Sequence, residues 1–130
     1  MKSILIALLL LAFCRVSHPA ELAWSSWTEA KMASRVDGKP IVVLLASDSC
    51  PPCRRMKTEV MPAVYRRGAL NTVHVAIVDV DRDRQLFDKL RLPSSASIPQ
   101  LVITDLHRSR VLVGFREVEP VIRWLQGDAK

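Results

Sequence analysis

A run of six apolar residues, Ile41–Ala46, constrains the fold of this chain more than any other segment. The run is rich in β-branched residues and contains no polar position, which is typical of a central strand buried on both faces. Such a strand requires packed layers on both sides of a sheet. The chain is long enough to supply them in one domain, since it has 130 residues and 49% of them are hydrophobic.

The sequence around this run alternates between helical and extended patterns. Ser26-x-x-Glu29 is a capping box that opens a helix, and Gly38 is positioned as its C-terminal cap. The expected buried stripe of this helix consists of Trp24, Trp27 and Ala30. In chain order the predicted elements are helix 27–36, strand 41–46, a helix that begins at 51, strand 73–80, helix 84–92, strands 101–103 and 111–113, and helix 119–125.

Two of these helices contain a proline that bears on their geometry. We expect Pro62 to break or kink the helix that begins at 51, and Gly68 to end its second part. Pro120 is expected near the first position of the last helix. The residues of that helix expected to face inward are Val121, Ile122 and Leu125.

The order of the elements predicts an α/β fold. The first two strands and the helix between them form a β-α-β unit, which implies a parallel pair with a right-handed crossover. The short polar turn at 105–110 favours an antiparallel hairpin between the last two strands. The predicted architecture is a mixed four-stranded sheet flanked by helices on both faces.

The first 20 residues have the layout of a secretory signal peptide. Lys2 precedes a ten-residue apolar run at 4–13, and a membrane-spanning helix needs roughly 20 such residues. We expect cleavage after Ala20, which leaves 21–130 as the folded domain in the periplasm or outside the cell. A buried first strand and an uncleaved anchor are the alternatives.

Cys14 matters only if this segment is processed in another way. Residues 11–14 resemble a bacterial lipoprotein signal in which Cys14 would carry lipid, but Phe13 is large where that signal has a small residue. After cleavage at Ala20 the chain keeps two cysteines and 17 basic against 13 acidic side chains, a net charge of +4. Because the basic residues are spread along the chain, we predict no binding to nucleic acid.

Both remaining cysteines lie in one motif, Cys50-Pro51-Pro52-Cys53, where a predicted strand is followed by a helix. This spacing places both sulfurs on one helical turn, and the helix N-terminus favours a thiolate at Cys50. Pro51 and Pro52 fit a first helical turn because they have no N–H, and Arg54 adds positive charge. The pattern predicts Cys50 as the exposed nucleophile and Cys53 as the buried thiol that resolves a mixed disulfide.

A Cys-x-x-Cys motif also occurs in zinc sites and in structural disulfides. Zinc would need further ligands, and the mature chain offers only His74 and His107 besides carboxylates. We therefore predict neither a bound metal nor a cofactor. A structural disulfide stays open as the alternative.

Two motifs resemble the thioredoxin-like family over nearly the whole mature chain. They are the Cys50–Cys53 motif and Ile98-Pro99, which precedes the predicted strand at 101. In that family this proline is cis and its loop packs beside the dithiol. The resemblance therefore implies that Pro99 is cis and that Ile98 pairs with an extended segment of the substrate.

A looser similarity concerns the secreted branch of this family, which includes the periplasmic C-terminal domain of the electron conduit DsbD. It rests on Asp37-Gly-Lys-Pro40 before the central strand, and on Met56 with Glu59 after the dithiol.

Three positions depart from the cytosolic thioredoxins. Those proteins carry a buried Asp six residues before the first cysteine, a Lys on the next strand and a Trp just before that cysteine, whereas this chain has Leu44, Ile77 and Ser49. Proton transfer at Cys53 is therefore expected to use solvent or another group. Only 45 residues separate Cys53 from Pro99, which leaves no room for the helical insertion of the periplasmic disulfide oxidases.

These observations together predict an extracytoplasmic thiol–disulfide oxidoreductase. We expect a monomer that reduces protein disulfides through Cys50 and Cys53, with electrons from a membrane donor. The alternative is a client-binding chaperone, or a metallochaperone-like assembly factor that holds Cu(I) on the two thiolates. The chain has four Met residues and no Met or His cluster beside Cys50, which argues against the copper variant.

Overall fold

The computed structural model describes residues 21–127, so the predicted signal peptide lies outside the described residues. The elements are α1 (Trp27–Asp37), β1 (Ile41–Ala46), α2 in three consecutive segments (Pro51–Arg55, Met56–Val60 and Met61–Arg66), β2 (His74–Asp79), α3 (Arg84–Leu90), β3 (Gln100–Thr104), β4 (Ser109–Val113) and α4 (Val118–Leu125). The bounds of the strands and of the other helices differ from the predicted ones by at most two residues.

The four strands form one mixed sheet in the order β2-β1-β3-β4. β1 is parallel to β2 and antiparallel to β3, and β3 and β4 form an antiparallel hairpin. Every residue of β1 is buried, because α2 and α4 cover one face of the sheet and α1 and α3 cover the other. The predicted fold class is confirmed.

Helix α1 begins and ends at the predicted signals. The Ser26 hydroxyl accepts a hydrogen bond from the Glu29 N–H at 3.2 Å, and the Glu29 carboxylate accepts one from the Ser26 N–H at 2.8 Å. Gly38 has a φ of 74° and donates its N–H to the Ser34 carbonyl. A positive φ of this kind suits glycine, so the residue ends the helix without steric cost.

The prediction for Trp24 is wrong. Trp24 lies before the helix, where the adjacent Ser25 forms a parallel bridge with Ala76 of β2. Its side chain packs on the same face of the sheet as α2, whereas Trp27 and Ala30 pack on the opposite face. An extended segment alternates its side chains between faces, and this alternation overrides the helical spacing of the three residues.

Pro62 does not break α2, although the regular α-helical pattern is interrupted just before it, and a kink at this proline stays a prediction. The helix continues past Pro62 to Arg66, and its middle segment, Met56–Val60, is a π-helix. The Met61 N–H donates to the Met56 carbonyl, five residues earlier. The wider turn accommodates a proline whose ring and missing N–H disturb an ordinary α-helical ladder.

Helix α4 buries a residue that the sequence pattern missed. Its buried side chains are Val121 and Trp124, whereas the predicted Ile122 and Leu125 are half-buried. The Arg110 guanidinium of β4 lies 5.5 Å from the centroid of the Trp124 ring and donates a hydrogen bond to the Trp124 carbonyl. Between residues 21 and 127, no helix has the length and apolar character needed to cross a membrane.

Candidate active site

The Cys-Pro-Pro-Cys motif follows the carboxyl end of β1 and forms the first turn of α2. Ser47, the first residue after β1, is buried, and Asp48 and Ser49 turn out to the surface. Cys50 is the N-cap residue of α2, with an extended backbone, and its N–H donates to the Ser47 carbonyl at 3.2 Å. The buried strand therefore delivers Cys50 to one edge of the sheet.

The two cysteines form a disulfide, with their Cα atoms 5.2 Å apart. Cys53 is 1% exposed, whereas Cys50 is half-buried. The Cys53 N–H donates to Cys50 Sγ at 3.3 Å, and the two intervening residues, Pro51 and Pro52, have no N–H to offer. Of the two sulfurs, that of Cys50 is the one that a partner molecule can approach.

The Ile98-Pro99 loop lies between α3 and β3, and its peptide bond is cis. Pro99 is buried, and its carbonyl accepts a hydrogen bond from the Gly114 N–H at 2.8 Å, which ties the loop to the end of β4. Ile98 and Cys50 both pack against the apolar cluster that contains Cys53. Within residues 21–127 the backbone N–H and C=O of Ile98 make no hydrogen bond to another backbone group.

Exposed side chains surround Cys50 on the helix side. Pro51, Pro52 and Arg54 are all exposed, and the Arg54 N–H donates to the Cys50 carbonyl at 3.1 Å. Sequence reasoning missed Phe115, which follows β4 and packs against the same cluster as Cys50. The Arg55 guanidinium lies 4.5 Å from the Phe115 ring centroid. The available signal was an aromatic residue directly after a glycine at the end of a predicted hairpin.

A pocket of about 220 Å³ opens beside Cys53, where β1 and β2 end. Lys57 of α2, Asp79 of β2 and Arg82 of the following turn line it together with the cysteine. Sequence reasoning missed this site, because its members come from three separate elements. The register of the strands does place Asp79 beside Ala46, close to the start of α2.

The loop before the dithiol is anchored by a buried hydroxyl. Ser47 donates a hydrogen bond to the Asp81 carboxylate and accepts one from the Ser49 N–H at 3.3 Å. Ser47 is buried, whereas Asp81 is exposed. This bond links the end of β1 to the turn that follows β2.

No protein-family model and no curated protein matches the sequence significantly. Solved structures do match. A thioredoxin from Thermus thermophilus is 22% identical, covers 83% of this chain and 87% of its own, and has a TM-score of 0.67. A DsbH oxidoreductase is 20% identical, covers 88% and 89%, and has a TM-score of 0.68. A thioredoxin from Fasciola hepatica is 21% identical, covers 76% and 89%, and has a TM-score of 0.60.

The chain has a thioredoxin-like fold. At these identities the likeness concerns the fold, so the roles of individual residues rest on the geometry of this chain. The looser similarity to the secreted branch and to the C-terminal domain of DsbD stays a sequence prediction.

In this thioredoxin-like domain, the neighbouring positions of β1 and β2 that pack in the same cluster as the buried Cys53 are apolar. Leu44 and Ile77 are register partners in β1 and β2, and both pack in the cluster that contains Cys53. Leu44 is fully buried. These are the two positions where the cytosolic pattern has an Asp and a Lys, so no ionisable side chain lies at either of them.

The histidines considered as zinc ligands lie away from the dithiol. His74 begins β2 beside Ile41, at the opposite end of β1 from Cys50, and its Nε2 lies 2.9 Å from an Asp37 carboxylate oxygen. His107 is exposed in the β3–β4 turn. Among the described residues, no group of three His, Cys, Asp or Glu side chains is arranged to hold a metal ion.

Proposed function

We propose that this protein is an extracytoplasmic thiol–disulfide oxidoreductase that reduces protein disulfides. One observation carries the redox part of the proposal. Cys50 is a half-buried cysteine at the N-terminus of α2, bonded to the fully buried Cys53. Similar solved structures include thioredoxins and a DsbH oxidoreductase, which agrees with this chemistry.

The reaction has two displacement steps. The Cys50 thiolate attacks one sulfur of a client disulfide, which forms a Cys50–client bond and releases the other client sulfur as a thiolate. The Cys53 thiolate then attacks Cys50 Sγ, which forms the intramolecular disulfide and releases the second client thiolate. Two electrons pass from the protein to the client. The backbone of Ile98, which is not engaged in a backbone hydrogen bond within residues 21–127, would hold the client segment beside Cys50 through main-chain hydrogen bonds.

The reducing direction is proposed from the environment of Cys50. A strongly oxidising dithiol requires extra stabilisation of its reduced, thiolate form. Here Pro51 and Pro52 remove two N–H donors from the first turn, and the Cys53 N–H is the donor that lies near Cys50 Sγ, at 3.3 Å. Weak stabilisation of the thiolate favours a dithiol that gives its electrons away.

The extracytoplasmic location is proposed from the apolar run at 4–13 and the expected cleavage after Ala20. Because such compartments are oxidising, a reductase there needs a supply of electrons, and a membrane protein is the proposed donor. Intact mass measurement of the protein from cell fractions tests the cleavage site. Alkylation trapping in cells tests the direction, since a pair that is largely oxidised would contradict a reductase.

Client trapping tests the assignment of the two sulfurs. Cys53→Ser should accumulate mixed disulfides through Cys50, because the resolving thiol is gone, and Cys50→Ser should accumulate few. Insulin reduction should be lost in both variants. Equal insulin reduction by wild type and Cys50→Ser would favour a client-binding protein instead, and stoichiometric zinc on two protected thiolates would also contradict the redox proposal.

A further inference from the structure

The resolving step requires Cys53 to lose a proton, because the thiolate is the nucleophile. Cys53 is 1% exposed, and Leu44 and Ile77 pack in the same apolar cluster. A proton acceptor is therefore needed on another side of the sulfur. This inference rests on the proposed function, since it concerns the second displacement.

The pocket beside Cys53 places polar groups, including a carboxylate, on another side of the sulfur. At about 220 Å³ it is large enough for several water molecules, and it has polar walls. Asp79 contributes a carboxylate whose side chain is 28% exposed. One of its oxygens accepts the Asp81 N–H at 2.9 Å, and the other lies 3.4 Å from Arg82 Nε, so the carboxylate is held at the pocket wall.

We propose that Asp79 is the proton acceptor for Cys53, through water in this pocket. As the mixed disulfide resolves, the Cys53 proton passes to a pocket water, and that water passes a proton to the Asp79 carboxylate. The Cys53 sulfur then bonds to Cys50 Sγ while the client sulfur leaves with the electron pair of the broken bond. Asp79 afterwards returns its proton to solvent or to the departing thiolate.

The other charged groups at the pocket do not offer an equivalent acceptor. They are Asp48 of the loop after β1, Arg54 and Lys57 of α2, and Arg82 of the turn after β2. The three cations have no site that accepts a proton at neutral pH. Asp48 is exposed in the loop, whereas Asp79 belongs to the strand paired with β1. Asp48 is therefore a matched control from the same pocket.

The experiment separates the two displacements in one protein. Reduced mature protein is mixed with the aromatic disulfide 5,5′-dithiobis(2-nitrobenzoate) in a stopped-flow instrument. Attack by Cys50 releases the first coloured thiolate, and attack by Cys53 releases the second. Asp79→Asn should leave the first phase unchanged and slow the second on the order of 10²-fold near neutral pH. The deficit should vanish at high pH, where hydroxide removes the thiol proton.

Three results would overturn the proposal: an unchanged second phase, a faster second phase, or equal slowing by Asp48→Asn. A faster phase is expected if the charge of Asp79 merely disfavours the Cys53 thiolate. Asp79→Ser should slow the second phase as Asp79→Asn does, and Asp79→Glu should restore its wild-type rate. This pair of results separates loss of the carboxylate from a local folding defect. Loss of the first phase in the wild type would instead contradict the proposed function itself.

Discussion

Polar side chains flank β1 at both ends, and their surroundings differ. At the start of the strand, the Asp37 carboxylate accepts the Lys39 N–H at 3.0 Å and pairs with His74 Nε2 at 2.9 Å. At its end, Cys53 and Asp79 face a pocket. In the first set, the Asp37 carboxylate bonds to the Lys39 N–H and to His74, so these polar groups satisfy one another. The second set lines a pocket with room for water beside the proposed redox pair, so we call the start of β1 its structural end and the other its reactive end.

The apolar middle of β1 separates these two ends, and disrupting it should have the largest effect on stability. Leu44→Ala should lower the free energy of unfolding by about 2–5 kcal/mol, because it leaves a cavity in a fully buried position. Urea denaturation measures this loss. Val36→Ala is the matched control, since Val36 is 89% exposed and its truncation should change stability by less than about 0.5 kcal/mol. Similar losses in both variants would contradict the burial argument.

Removing the hydrogen bond between Ser47 and Asp81, at the reactive end, should have a smaller effect on the free energy of unfolding. Ser47→Ala removes the donor to the Asp81 carboxylate from a buried position, and we expect a loss of about 1–2 kcal/mol in the free energy of unfolding. Ser94→Ala is the control, because Ser94 is exposed and lies in a different loop, away from the bond between Ser47 and Asp81. Equal destabilisation by both changes would show that this bond is not the anchor.

Removing the Asp37–His74 pair at the structural end should change the free energy of unfolding least, and the change should depend on pH. The hydrogen bond with His74, followed by that from the Lys39 N–H, lowers the pKa of Asp37 below its ordinary value. The ionised carboxylate is therefore favoured in the folded state, which stabilises the protein above about pH 4. This stabilisation is lost as the pH falls through the lower, folded-state pKa.

Asp37→Asn should accordingly unfold at slightly less urea than the wild type at pH 7, and the difference should shrink in acid. Insulin reduction should not change, because the pair lies at the opposite end of β1 from Cys50. Glu21→Gln provides an exposed control at the start of the described chain. If the difference grew as the pH fell, the ionised Asp37 carboxylate would not be the form that stabilises the folded protein.

Features encoded within a few neighbouring residues could be predicted from the sequence. The bonds between Ser26 and Glu29, the cap at Gly38 and the buried strand Ile41–Ala46 each depend on a short segment. Alternating elements then leave few possible topologies, and the predicted mixed sheet is confirmed. The position of the dithiol at a helix start belongs to the same class.

Features that depend on packing between distant segments could not be predicted. The π-helical turn before Pro62 depends on how α2 packs along its length, and the burial of Trp124 depends on which face of a short helix meets the sheet. The Asp79 pocket needs the register of two strands and the position of a helix. None of these is a property of one local stretch of sequence.

The π-helical segment of α2 divides that helix into two parts with different rotational phase. A π-helical turn spans one more residue than an α-helical turn, so the residues after it are rotated about the helix axis relative to those before it. Val60 ends the π-helical segment and Met61 begins the next part, and both are buried. The part before this turn sets the direction of Cys53, and the part after it packs against α4. The direction of the sulfurs and the packing against α4 therefore depend on different parts of one helix, joined by the π-helical turn.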